Sequence, residues 1–100
     1  MFQIRFERPA EHELADASGW YHSENPSAGG RFDDDIDALL LNIARDHGRF
    51  PFVSIRVQKA KLLDWPYSIY FVAATIRKEV TVVSIWHGRR DPAELRRRLK

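Results

Sequence analysis

The chain opens with Phe2, Ile4 and Phe6 alternating with Gln3, Arg5 and Glu7, a period of two that predicts a half-buried strand ended by Pro9. Behind it, Ala10, Leu14, Ala17 and Tyr21 recur at spacings of four, three and four, so they share one stripe of a helix over about Ala10–Glu24. Asn25-Pro26-Ser27 then reads as an N-cap residue followed by proline at the first helical position, where a missing amide hydrogen costs nothing. The second helix carries an apolar stripe of Phe32, Ile36, Leu39 or Leu40, Ile43 and His47, and Gly48 is expected to end it in the left-handed conformation. Gly29 and Gly30 weaken that helix by roughly 1 kcal/mol each relative to alanine. Close approach to the first helix is the use expected of them. Few residues separate the two helices, so they should form an antiparallel hairpin.

From Phe50 onward the periodicity changes. Ile55 and Val57 alternate with Arg56 and Gln58, and the parity slips near Lys59 so that Ala60 and Leu62 take over, which predicts a bulge there. After Trp65-Pro66, Tyr67, Ile69 and Phe71 oppose Ser68, Tyr70 and Val72, apolar on nearly both faces. Past a turn around Arg77 and Lys78, Val80, Val82, Val83, Ile85 and Trp86 do the same. Strands covered on both faces sit centrally, so this pair is expected in the middle of the sheet. Beyond His87-Gly88, a short helix places Leu95 and Leu99 on one side among Arg96, Arg97, Arg98 and Lys100. The order β-α-α-β-β-β-α specifies an α+β fold: an N-terminal strand, a two-helix antiparallel hairpin, a mainly antiparallel sheet of three or four strands and a short C-terminal helix. No internal repeat, low-complexity tract or linker interrupts it, which makes residues 1–100 a single domain.

Composition narrows the class. Hydrophobic residues at 44% and aromatic residues at 12% supply a core, and 30% charged residues keep the outside wet, unlike a disordered tail. No apolar run approaches the roughly 20 residues of a bilayer crossing, and no secretory pattern opens the chain. The absence of cysteine excludes a disulfide framework and a thiolate zinc site. A cytoplasmic protein without membrane association is expected. The net charge of +2 hides a polarity: residues 1–50 hold 5 basic against 10 acidic side chains, residues 51–100 hold 11 against 4. Arginine supplies 12 of the 16 basic residues. That favours either a polyanionic or acidic partner for the second half, or simply a solvated face.

Most catalytic constellations fail. There is no cysteine nucleophile and no Gly-x-Ser-x-Gly turn. His12, His22, His47 and His87 lack metal-ligand spacing, and Gly29-Gly30 is followed by no Lys-Ser or Lys-Thr. Asp33, Asp34, Asp35 and Asp37 point in different directions around a helix and read as a solvated acidic face near its positive end. Neither a metal nor a cofactor is called for. What remains is a basic and aromatic set on the strand half: Arg56, Lys59, Lys61, Tyr67, Tyr70, His87, Arg89 and Arg90. Such a set could hold phosphates and bases and, with Tyr or His moving protons, cleave RNA without metal. Equally, the tyrosines are sheet residues and the arginines rim charges.

In order along the chain, Trp20-Tyr21, Arg31-Phe32, Ile43, Phe50-Pro51, Arg56, Trp65-Pro66-Tyr67-Ser68-Ile69-Tyr70 and His87-Gly88-Arg89-Arg90-Asp91-Pro92 resemble the landmarks of the RelE/ParE superfamily of bacterial type II toxin-antitoxin toxins. Each landmark alone is weak, and together they span almost the whole chain. Tryptophan stands where the family usually has phenylalanine before Pro66-Tyr67. The resemblance implies a growth-inhibitory toxin of the plasmid-stabilisation type, neutralised in a hetero-oligomer by a cognate antitoxin laid over the hairpin and sheet. Trp20, Leu40, Phe50 and Phe52 are the candidate antitoxin contacts, unless they complete the chain's own core. RelE-like members cut messenger RNA on the ribosome with clustered basic residues and a C-terminal Tyr or His; Arg56, Tyr67, His87, Arg89 and Arg90 would fill those roles. ParE-like members inhibit DNA gyrase instead. No tyrosine follows Tyr70, and the tail reads Leu95-Arg96-Arg97-Arg98-Leu99-Lys100. That departure favours the ParE-like branch, with Arg56, His87, Arg89, Arg90, Arg96, Arg97 and Arg98 as the target-binding set. A non-toxic binding domain of the same fold is the third alternative.

Overall fold

In the computed structural model, which describes residues 1–99, the elements follow the expected order. They are β1 (Gln3–Phe6), α1 (Arg8–Glu24), α2 (Pro26–Asp46), a 3-10 turn at His47–Arg49, β2 (Val57–Lys61), β3 (Tyr67–Ala74), β4 (Glu79–His87) and α3 (Pro92–Arg98). Lys100 lies outside the described residues. The helix starts are chemical. Asn25 caps α2, its side-chain oxygen accepting from the N–H groups of Ser27 at 2.9 Å and Ala28 at 3.4 Å. α1 begins two residues ahead of Ala10 because Pro9 fits its first turn, where the absent N–H leaves nothing unsatisfied. The expected ending of α2 is corrected: among the described residues no glycine takes a positive φ, Gly48 included. The helix tightens instead into the 3-10 turn, which closes with the Phe50 N–H on the His47 carbonyl at 3.3 Å.

The strands form one four-stranded sheet in the order β1-β4-β3-β2. β3 and β4 are its central pair, as their two-sided apolar sequences require. β1 runs parallel to β4, with Gln3 opposite Glu79 and Phe6 opposite Val82, while the other pairs are antiparallel. The expected bulge near Lys59 is absent. β2 pairs with β3 without interruption from Val57 opposite Val72 to Lys61 opposite Ser68. The irregularity sits in β4, where Val82 opposes Phe71 and Ser84 opposes Tyr70, so Val83 is the extra residue. The parity slip has a different cause: Gln58 points inward. Its Nε2 donates to the carbonyls of His47 at 2.7 Å and Phe50 at 3.0 Å, so a polar residue satisfies the end of α2 from within the core. Ile55 precedes the strand and is 96% exposed.

The helical hairpin covers one sheet face. Ala10, Ala17, Phe32, Ile36 and Ile43 meet Ala60, Leu62, Ile69, Phe71, Val80, Val82 and Ile85 in a single core. At one end Tyr21, Phe32, Trp65 and Tyr67 form an aromatic cluster, with the Tyr21 and Trp65 rings 4.7 Å apart and the Phe32 and Trp65 rings 5.2 Å apart, both edge-to-face. Trp65 also donates its indole N–H to Asp35 at 2.8 Å. Asp33 accepts from Ser18 Oγ at 2.7 Å and from His22 Nε2 at 2.8 Å. Two of the four clustered aspartates thus tie α2 to α1 and to the loop before β3, which corrects their reading as a purely solvated face. Among the described helices none is long and apolar enough to cross a membrane.

The two glycines of α2 part company. Gly29 is buried, and a Cβ there would collide with the His22 ring; at Gly30 a Cβ would meet nothing within 4 Å. Gly30→Ala is expected to raise stability by about 0.5–1 kcal/mol through helix propensity, whereas Gly29→Ala lowers it; urea unfolding of both variants checks the contrast. The hydrogen bond from His22, with that from Ser18, holds the Asp33 carboxyl below its ordinary range against a small opposing effect of burial. A carboxyl lowered on folding contributes stability above its unfolded pKa and loses it as pH falls through the folded one. Asp33→Asn should therefore flatten part of the stability loss below about pH 4 and leave the neutral-to-alkaline limb unchanged in pH-dependent denaturation.

Candidate functional site

β1 ends at Phe6, so β4 beyond Val82 has no neighbouring strand on that side. Unpaired backbone groups in a half-buried edge must find other partners. Glu13 of α1 supplies one: its Oε1 accepts the Ile85 N–H at 3.0 Å and the Ser84 hydroxyl at 3.1 Å. Arg98 of α3 supplies the other, donating Nη2 to the Val83 carbonyl at 2.6 Å. The two side chains then join, with Arg98 Nη1 2.7 Å from Glu13 Oε2 and Nη2 3.1 Å from Oε1. The Glu13 side chain is only 14% exposed. This bidentate pair fastens α1, β4 and α3 in one joint. Sequence reasoning missed it, although an acid inside the apolar stripe Ala10, Leu14, Ala17 was the available signal.

Directly opposed residues share a sheet face, so Tyr67 and His87 come together at the end of the face that holds the hairpin. Their rings lie edge-to-face at 5.0 Å. With Glu13, Asp16, Trp20 and Arg90 they line a depression of about 270 Å³. His87 Nδ1 accepts the Arg89 N–H at 3.0 Å, which leaves the ring proton on Nε2. Burial pushes the Tyr67 phenol up, Tyr21 and Asp16 add to that, and Arg90 opposes it. Arg90 is itself occupied. Its guanidinium carbon sits 3.8 Å from the Trp86 ring centroid, and it pairs with Glu13 at 3.5 Å and Glu94 at 3.4 Å.

A second concavity of about 550 Å³ lies between the segment before β2 and α3. Val53, Ile55, Tyr70, Leu95 and Leu99 make it apolar, and among the described residues the charged ones lining it are Arg56 and Arg96. Lys59 adds a third cation nearby, its ammonium 5.8 Å from the Tyr70 ring centroid. Val53 is 49% exposed and Ile55 almost wholly so.

These two places sort the candidate residues. Tyr67, His87 and Arg90 share the depression, Arg56 and Arg96 line the groove, and Arg89 and Arg97 stand exposed. Arg98 is turned inward onto Glu13, which removes it from the freely presented set. Of the candidate antitoxin contacts, Trp20 and Phe52 are exposed, at 59% and 62%. Leu40 and Phe50 pack against the core instead.

A helical hairpin on one sheet face and a cation-rimmed apolar groove beside a short terminal helix define a small α+β interaction module. The chain belongs to the ParE toxin family, described as the ParE toxin of the type II toxin-antitoxin system parDE, whose sequence model matches residues 4–92. Among solved structures it is similar in fold to the chromosomal ParDE toxin-antitoxin system from P. aeruginosa, with a TM-score of 0.71 at 20% identity over 87% of this chain and 96% of that one. No curated protein matches it in sequence. The family match stops at Pro92, the first residue of α3, so the arginines of that helix lie outside it.

Glu13→Ala strips Arg98 and the Ile85 N–H of their acceptor, and a loss of about 2 kcal/mol is expected. Trypsin should then cut at Arg96–Arg98 well before the rest of the chain. Glu13→Gln, which keeps an oxygen for Ile85, should lose less; equal losses in urea titration would deny the charge any part in the joint.

Proposed function

We propose that the chain is a growth-inhibiting toxin that blocks DNA gyrase without cleaving nucleic acid and is silenced by a cognate antitoxin in a hetero-oligomer. The observation that carries this reading is that Arg56 lies apart from Tyr67, His87 and Arg90, and that Arg90 is already engaged by other groups. Arg56 lines the groove, Tyr67 and His87 line the depression at the end of the hairpin face, and Arg90 is stacked and doubly ion-paired. Burial moves the Tyr67 phenol further up from its ordinary value, a poor start for a general base. The surface left for a target is then His87 with Arg89, Arg96 and Arg97, imidazole and guanidinium groups suited to an acidic protein surface.

The groove is the natural seat for the antitoxin. Its apolar floor and its rim of Arg56 and Arg96 suit an amphipathic, acidic segment, with Trp20 and Phe52 as further contacts. The RelE-like alternative keeps one supporting observation, the juxtaposition of Tyr67, His87 and Arg90.

Induced expression of the chain alone should arrest growth with messages intact, and purified protein should inhibit supercoiling by gyrase. His87→Ala should weaken the arrest in part, as loss of one target contact does, and leave messages intact. Cleavage of translated messages that His87→Ala abolishes would establish the nuclease instead, and normal growth would leave a binding domain. Ile55→Glu, at a side chain that contributes nothing to the core, should weaken antitoxin capture by about tenfold or more with unchanged thermal stability.

A further inference from the structure

The two edges of the sheet are finished differently. Past the end of β1, Glu13 and Arg98 occupy the backbone groups of β4. At the other edge, β2 is covered over its first half only. The Leu62 N–H donates to the Tyr67 carbonyl at 3.1 Å, so strand alternation turns the backbone groups of residues 58 and 60 toward β3 and those of residues 57, 59 and 61 outward. On the outward side, the Val57 carbonyl accepts the Val53 N–H at 2.8 Å, the Val57 N–H donates to Ser54 Oγ at 3.3 Å, and the Lys59 N–H donates to the Pro51 carbonyl at 2.9 Å. Beyond that point the chain's own cover ends. Among the described residues, the Lys59 carbonyl and the Lys61 N–H have no partner.

The two faces beside this opening differ in chemistry. Away from the hairpin, Lys59 and Lys61 stand opposite Tyr70 and Ser68, near the Arg56 and Arg96 of the groove. Among the described residues neither lysine is ion-paired. On the hairpin face, α2 and the edge leave a cleft of about 190 Å³ lined by Ala38, Leu39, Leu62 and Leu63, the last 93% exposed. Asp35 and Asp64 line it too, which makes that side unwelcome to further carboxylates.

We propose that the open half of β2 takes a fifth strand, an extended segment of a partner polypeptide in which carboxylate residues alternate with aliphatic ones. Its backbone meets the Lys59 carbonyl and the Lys61 N–H, its carboxylates face the two lysines, and its aliphatic side chains enter the cleft against Leu63. A period of two keeps the two sets on opposite faces. A second copy of the chain is the wrong occupant, because two such edges paired antiparallel about the opening set lysine against lysine. Nucleic acid would meet the lysines and leave the backbone groups and the cleft unused. The site is additional to the groove and requires neither the groove reading nor the gyrase one.

The test is a nuclear magnetic resonance titration of the isotope-labelled full chain with a short peptide alternating glutamate and valine. Amide exchange at Lys61 should slow by about tenfold or more, with Ala60, already bonded to β3, unchanged. The same peptide methylated on alternate nitrogens keeps its side chains, loses the donors on one edge, and should bind about tenfold more weakly. Lys59→Glu with Lys61→Glu should lower affinity for the parent peptide by about tenfold at an unchanged melting temperature, and a lysine-valine peptide should bind that variant in preference to the wild type. The proposal is overturned if Lys61 exchange does not respond, if the methylated peptide binds as well as its parent, or if the lysine variant binds as well as the wild type. Should Ile55→Glu abolish binding while the lysine variant does not, the peptide sits in the groove, which overturns the strand site and leaves the antitoxin reading intact. Binding of an oligonucleotide without binding of the peptide overturns it as well.

Discussion

The fold depends on how one open strand edge is closed. β1 is four residues long and leaves the second half of β4 without a neighbour. An edge of that kind invites pairing with another chain unless it is covered. Glu13 and Arg98 cover it with a carboxylate and a guanidinium, each binding one backbone group and then the other. The arrangement works because the pair is mostly buried and bidentate, where an ion pair holds its geometry. It also explains how α3, a helix of seven residues, stays docked with only Leu95 buried.

That joint divides the arginine-rich end of the chain by contact. Arg98 is spent on structure, Arg90 lies flat on Trp86 beneath a neighbouring acid, and Arg96 looks over the groove. Arg97 and Arg89 are free to meet a partner. A run of similar residues in the sequence therefore becomes three kinds of group in space. The excess positive charge of the second half is real, and the part of it left outside internal contacts is smaller than the composition suggests.

Most of the architecture was legible because it follows from local rules. Alternation identified β1; the Asn25-Pro26 cap placed the start of α2; and apolarity on both faces marked β3 and β4 and put them in the centre. The errors share a cause, tertiary contacts that local pattern does not encode. Gln58 counted as a surface residue because it is polar, yet it serves the carbonyls at the end of α2. The slip assigned to Lys59 belongs to Val83, where β4 changes parity against β3. Of the site, the sequence named Tyr67, His87 and Arg90 within one basic and aromatic set, whereas the meeting of Tyr67 with His87 across β3 and β4 and the groove were not legible. The groove needs the segment before β2 and the terminal helix to face each other across the sheet, a relation between residues some 40 apart.

The groove and the joint are not independent. One wall of the groove is α3, and α3 is fixed by Arg98 on Glu13 and by Leu95. An occupant that covers Leu99 and Arg96 on one wall and Ile55 and Arg56 on the other binds only the docked form of that helix. Its affinity then includes the free energy of docking, and by reciprocity the occupant strengthens the joint by whatever the joint adds to binding. A carboxylate on α1, far along the sequence from every groove residue, thereby sets how well the groove can be filled. The same coupling means that the strand edge is best protected when a partner is present, the state in which a toxin-antitoxin pair would store the chain.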